Sequence, residues 1–325
     1  MIVPGPDEIA AILGGEAPSA KPPMGLCDCH VHVFGPADRY PPASGFDVDG
    51  LEDLCIETYR QTRAGSLIER AVLIQPDHHG DDHACLIDAM DELIASAEWD
   101  SSDVVRGIGS VRANVEDRKL EDLLAVGIIG TRFVMRRGAE IHDWDTLDRL
   151  AWRVHDIGWD VELEMDGSDL HEVEQRLREW PGRIVLDHIG LFMRTKTFTQ
   201  RGFKALTRLI DRDKVWVKLS APYRSSRRGR LDDPEVDEIA CALVEWAPER
   251  MVWGSNWPHL DMDEEQPDDG ALLDLFARWV PEESRRHRIL CDNAAELYGF
   301  KRVGSVPEVG GDDVGPLAGE NGTKR

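Results

Sequence analysis

Apolar and polar positions alternate in blocks along the chain. Short apolar runs recur at GLCDCHVHVF, RAVLIQP, VVRGIGSV, IIGTRFV, WDVELEM, RIVLDHI, KVWVKLS and RMVWGSN. Each holds an apolar core of roughly four to eight residues rich in Val, Ile or Leu, the pattern of parallel strands buried on both faces. Between them lie apolar residues at helical spacing, such as Leu86, Met90, Leu93 and Ile94, then Leu147, Leu150, Ala151 and Val154, then Ile239, Leu243 and Trp246. Eight such units predict an α/β chain, a single-domain (β/α)8 TIM barrel over residues 24–300. An open doubly wound sheet has less support, because no GxGxxG or P-loop motif follows a strand. Residues 1–23 carry several prolines and predict a surface arm. Residues 301–325 are rich in Gly and Asp and predict a disordered tail.

Composition narrows the partners. The 325 residues carry 62 acidic and 38 basic side chains, a formal charge of -24. Such a field repels nucleic acid and anionic membrane, so neither is an expected partner. Only eight of the bases are lysine, which fits a salt-adapted host or simply a soluble acidic protein. No apolar run approaches the ~18 residues of a membrane span, and no basic-then-apolar leader opens the chain. Six scattered cysteines form no CxxC pair, so reduced thiols in a cytoplasmic protein are expected. The expected partner is a small-molecule substrate, and a homo-oligomer is compatible with the sequence.

A barrel gathers its chemistry at the C-terminal ends of its strands. Polar residues do end the apolar runs: His30 and His32, then Asp77, His78 and His79, Arg132, Glu162 and Glu164, Asp187 and His188, Lys218 and Ser220, and Asn256. Alternation along the first strand places His30 and His32 on one face with Asp28, and Cys27, Cys29 and Val31 on the other. Two imidazoles so spaced can converge on one metal or one substrate atom, although a lone HxH is equally two strand-end residues satisfied by their neighbours. His188 suits a third ligand or a proton donor, or a buried histidine with a backbone partner. Glu162 and Glu164 share a face. Turned inward they would press on each other and raise one pKa, which suits an acid or base. Arg132 and Arg224 suit a carboxylate. Arg224, Arg227, Arg228 and Arg230 form a basic loop that is either a substrate lid or a solvated surface. Lys218 suits a carbonyl-polarising role, and one of His78 and His79 is expected to touch substrate. The acidic excess is expected on the outer helices, leaving the mouth neutral or positive.

DCHVHVFGP, QPDHHG, VLDHIG and VWGSNWPH, in this order, resemble the amidohydrolase superfamily, and within it the lactonases similar to 2-pyrone-4,6-dicarboxylate hydrolase. The resemblance covers residues 24–300. It implies a (β/α)8 barrel and opening of a small lactone or cyclic ester, carboxylated and derived from aromatic or sugar-acid catabolism. It also implies that His30, His32 and His188 are the site histidines. This chain departs where those hydrolases carry a strand-eight aspartate: it has Asn256. An amide cannot take the proton of an attacking water and is a weak metal ligand. Asn256 is instead expected to donate its amide hydrogen to a substrate oxygen; the alternative is a substitute base, for which Glu164 and Glu162 are the candidates. No cofactor is expected to be required. Any divalent metal, zinc or manganese, would be bound weakly by His30, His32 and His188. A lactone isomerase or a non-oxidative decarboxylase on the same scaffold is the alternative, and a catalytically silent binding protein is a further one.

Overall fold

The computed structural model describes residues 22–63, 68–96, 103–136, 142–192, 200–260, 262, 267 and 269–302. The expected arm over 1–23 and tail over 301–325 lie outside these residues, apart from the two positions nearest the barrel at each end. Eight strands form one parallel sheet in sequential order. They are β1 (Cys27–Val31), β2 (Arg70–Ile74), β3 (Val105–Gly109), β4 (Ile128–Val134), β5 (Asp160–Glu164), β6 (Ile184–Leu186), β7 (Val215–Ser220) and β8 (Met251–Gly254). All eight predicted runs are strands.

The helices are α1 (Ile56–Arg63), α2 (Ala84–Ala95), α3 (Asp117–Ala125), α4 (Trp144–His155), α5 (Leu170–Glu179), α6 (Arg201–Ile210), the short α7 (Pro222–Ser225), α8 (Pro234–Trp246), α9 (Asp269–Trp279), α10 (Glu283–His287) and α11 (Asn293–Tyr298). Their apolar stripes face the sheet as the spacing required. Leu147, Leu150, Ala151 and Val154 of α4 are all buried, whereas Ile94 of α2 faces solvent. Inside the barrel, Cys27, Cys29, Val72, Val185, Trp216 and Val252 pack against α11 and Phe300. These residues lie early in their strands, so α11 stoppers the end opposite the catalytic face. Arg70 and Arg106 stack on Phe300, 5.4 and 4.4 Å from its ring centre.

The sheet closes through a seam rather than a regular ladder between β1 and β8. Asn256 N donates to His30 O at 2.9 Å and His32 N to Trp257 O at 2.9 Å. Beneath them the buried Asp28 carboxylate accepts from Ser255 N (2.8 Å), Ser255 Oγ (2.5 Å), His30 N (3.2 Å) and Tyr59 Oη of α1 (3.1 Å). Burial pushes the Asp28 carboxyl up, and these donors offset part of that.

Asp28 therefore points out of the barrel, away from the histidines. The expectation that it shares their face fails for a local reason. β1 carries a bulge between Asp28 and Val31, where three residues advance against two on β2. The extra residue resets the alternation, so Cys27 and Cys29 face the barrel interior and His30 and His32 still face the mouth. At Gly254 a Cβ would stand 2.7 Å from His30 Cβ and 2.8 Å from His30 N. Gly254→Ala is expected to destabilise the fold by about 1–3 kcal/mol through overpacking against backbone that cannot retreat. Urea unfolding should show a lower midpoint with an unchanged slope, and an unshifted midpoint would contradict the close seam.

Candidate active site

A cavity of about 190 Å³ opens at the C-terminal ends of the strands. His32, Arg132, Arg136, Arg224 and Asn256 supply its polar wall, and Phe34, Phe46 and Pro258 part of its apolar wall. His78 and Asp77 stand at its rim with His259 and Leu260. Directly behind this surface, fully buried, lie His30, His188, Glu164, Asp187 and Lys218. Of the predicted site residues, His30, His32, His78, Arg132, Glu164, His188, Lys218, Arg224 and Asn256 thus converge at one end of the barrel. His79 does not line the cavity; it is buried beside Phe34, with ring centres 5.8 Å apart.

The buried charges form a shared network of pairs. Glu164 meets the Arg132, Arg136 and Arg224 guanidiniums, with Arg224 Nη2 at 2.8 Å. Asp187 accepts from Arg132 Nε at 2.9 Å. Glu162 accepts from Lys218 Nζ at 2.6 Å and from Tyr298 Oη at 3.1 Å. Four cations thus face three buried carboxylates, and Asp77 at the rim evens the balance. Among the described residues these four cations and four carboxylates balance in number. Glu162 and Glu164 both turn inward, but their mutual repulsion is not what perturbs Glu162. Burial, with Asp187 adding to it, raises the Glu162 carboxyl to about 7 against the pull of Lys218. For Asp187, burial alone would raise the carboxyl. His30, Lys218 and Arg132 outweigh it and hold the group well below the usual carboxylate range.

The three histidines are neutral. Burial, then Lys218, lowers His30 to about 3. Burial also lowers His32 and His188 well below the ordinary imidazole value, aided by His30 and Arg132 at His32 and by Arg224 at His188. Their tautomers follow from partners that can only donate or only accept. Lys218 Nζ donates to His30 Nδ1 (3.3 Å), so His30 Nε2–H donates to His32 Nε2 (3.1 Å), and His32 Nδ1–H donates to the Ile74 carbonyl (2.9 Å). Arg224 Nη1 donates to His188 Nε2 at 2.7 Å, so His188 Nδ1–H donates to Ser220 Oγ at 3.0 Å.

Non-glycine residues with left-handed backbone cluster in the loops that carry these groups: His188 (φ 52), Ala221 (φ 43), Asn256 (φ 68) and His259 (φ 63). Such strain persists only where surrounding contacts impose it. Asn256 Nδ2 donates to Tyr223 Oη at 2.8 Å, and Tyr223 Oη meets His259 Nδ1 at 2.9 Å. Asn256 Oδ1 is buried and has no hydrogen-bond partner among the described residues. One of the two amide hydrogens is thus held by Tyr223; the other remains for the expected donation, and the unpaired Oδ1 adds an acceptor.

His30, Asp187 and His188 offer donor atoms within 4.8 Å of one another, a spacing a divalent ion could use. His32 lies beside this cluster rather than in it. The surroundings do not suit a resident cation. Lys218 and Arg224 already direct hydrogens at His30 Nδ1 and His188 Nε2, Arg132 holds Asp187, and the strand-eight position supplies an amide.

Sequence reasoning did not single out Arg136, Tyr223 or His259. Arg136 follows β4 by two residues and reaches Glu164 from a loop. Tyr223 sits on the short helix after β7 and His259 in the segment after β8, and no spacing rule joins the two. Of the arginine run, only Arg224 enters the site. Arg227 pairs with Glu235, and Arg230 pairs with Asp232 at 2.8 Å, both on the exposed surface.

The amidohydrolase family matches residues 27–300. The chain is 32% identical to a 4-sulfomuconolactone hydrolase from Rhizobium radiobacter over 281 residues, covering 85% of this chain and 91% of that protein. It is 30% identical to a D-galactarolactone isomerase from Agrobacterium fabrum over 301 residues, covering 91% and 98%. It is 29% identical to a 2-pyrone-4,6-dicarboxylate hydrolase from Comamonas testosteroni over 290 residues, covering 86% and 92%. With the barrel, the histidines of β1 and the His188 turn after β6 all in their places, the chain belongs to the amidohydrolase family.

Proposed function

We propose that this protein opens the ring of a small carboxylated lactone by hydrolysis, without a resident metal. The observation that carries the reading is Glu164: one buried carboxylate gathers Arg132, Arg136 and Arg224 beside neutral His32 on the wall of a ligand-sized cavity. Guanidiniums held in this way keep further N–H groups for a substrate carboxylate or a developing oxyanion. The sequence relationship to lactone hydrolases and a lactone isomerase supports the same substrate class.

In this reading Arg136 and Arg224, nearest the rim, hold the substrate carboxylate. Arg132, deeper, stabilises the oxyanion formed when water attacks the lactone carbonyl, a role worth about 10²–10³-fold per donor. Both ring nitrogens of His32 are already engaged, by Ile74 O and by His30, so the water gives its proton to the Asp77 carboxylate in the cavity lining. The same proton returns to the departing ring oxygen.

Asn256 favours a second reading. With no carboxylate at the strand-eight position, the nucleophile can be a hydroxyl of the substrate itself. Attack within a bound molecule needs less help from a base, because proximity replaces it. The ester then moves from one oxygen to another, and the protein is a lactone isomerase.

Turnover of carboxylated lactones in water enriched in ¹⁸O separates the two. Hydrolysis gives an open acid carrying one labelled oxygen, and isomerisation gives an unlabelled product of unchanged mass. Failure to turn over any such lactone would remove both readings.

Exhaustive chelation is expected to leave kcat/KM unchanged. A loss on chelation that added zinc or manganese restores would overturn the metal-free site.

The histidines are neutral far below their ordinary range, so protonation of His30 would remove activity only as pH falls toward about 3. An inflection near 7 is expected from Glu162, which loses its proton there and completes its pair with Lys218. Glu162→Gln should abolish that inflection. Its persistence in the variant would assign it to another group.

A further inference from the structure

Asn256 sits at a crossing of two requirements. It is 3% exposed, and its Oδ1 is without a partner among the described residues although Asn256 lines the cavity. An amide oxygen buried in that way costs free energy unless something donates to it. Its other end is anchored: Nδ2 donates to Tyr223 Oη at 2.8 Å. The Tyr223 hydroxyl is held in turn by His259 Nδ1, 2.9 Å away. Burial lowers His259 to about 4, so its ring is neutral and can accept at ordinary pH. Tyr223 is itself buried on α7, and its ring meets that of His259 edge-on with centres 5.9 Å apart. The backbone reinforces the arrangement, because His259 N donates to Asn256 O at 3.0 Å and locks the turn between them.

We propose that Tyr223, braced by His259, is a positioning residue that turns the Asn256 amide so that its oxygen faces the cavity, where it accepts the hydrogen of a hydroxyl on the substrate. This rests on the lactone reading above and narrows it: the preferred substrates are hydroxylated carboxylated lactones, and analogues lacking that hydroxyl leave Asn256 Oδ1 buried and unpaired. A site built around such a bond rejects the analogue strongly, since a buried unpaired group is the penalty.

The test compares a carboxylated γ-lactone bearing a ring hydroxyl with its deoxy counterpart, in the wild type and in Tyr223→Phe. The wild type is expected to favour the hydroxylated compound in kcat/KM by about 10-fold or more. Tyr223→Phe frees the amide to rotate, and the preference should fall to within about 3-fold, chiefly through loss on the hydroxylated compound. A role for Tyr223 in packing alone would depress both substrates together and leave their ratio intact, and that result would overturn the proposal. Should Tyr223→Phe fail to fold, His259→Phe removes the partner that holds the tyrosine hydroxyl and must lower the same ratio; an unchanged ratio there would also overturn it. If neither lactone turns over, the functional reading fails on its own. The proposal is then decided by calorimetric binding of a cyclic ether carboxylate with and without the ring hydroxyl. The wild type must bind the hydroxylated ether more tightly and Tyr223→Phe must lose that preference; equal binding would overturn it.

Discussion

Closure of the barrel between β1 and β8 is the constraint on which the site depends. No regular ladder joins these strands. A buried carboxylate, Asp28, ties Ser255 to the backbone of β1 from outside, and two backbone hydrogen bonds join His30 to Asn256 and His32 to Trp257. The residues that close the sheet are therefore residues that line, or adjoin, the candidate site. Gly254 is required because the two backbones come too close for any side chain. The bulge in β1 serves the same end. It lets one short segment send Asp28 outward to the seam and both histidines inward to the mouth.

The second organising feature is charge held in balance where water is scarce. Buried ions are costly unless each is paired and hydrogen-bonded. Here Glu162, Glu164 and Asp187 are each matched by Lys218 or an arginine, and burial, aided by the same cations, keeps three histidines neutral. A lysine and an arginine directed at imidazole nitrogens fix tautomers as well as protonation states. The arrangement yields a site rich in positioned donors within a protein of formal charge -24. It also sets positive charge against the three donor atoms at metal-ligating spacing, since Lys218 and Arg224 already direct hydrogens at two of the imidazoles.

The two loops after β7 and β8 add a layer that neither strand order nor pairing rules supply. Tyr223 and His259 meet across them and decide which end of one amide the cavity presents. Left-handed backbone at Ala221, Asn256 and His259 marks the cost of holding those loops in place.

The sequence by itself determined the architecture. Eight Val- and Ile-rich runs separated by helical stripes allow little besides a parallel barrel, because each run is too apolar to leave either face in water. The gathering of His30, His32, Arg132, His188, Lys218 and Asn256 at one end followed directly, since residues ending parallel strands share an end. Tertiary structure alone decided what those residues are able to do. Strand alternation could not foresee the β1 bulge, because a bulge is a property of the pair of strands rather than of one. Inward-facing glutamates were legible, but their partners were not, since Lys218 and Arg132 come from strands far away in the chain. The direction of the Asn256 amide was beyond any pattern in the sequence. It is set by a tyrosine 33 positions earlier and a histidine three positions later, joined only when the barrel closes.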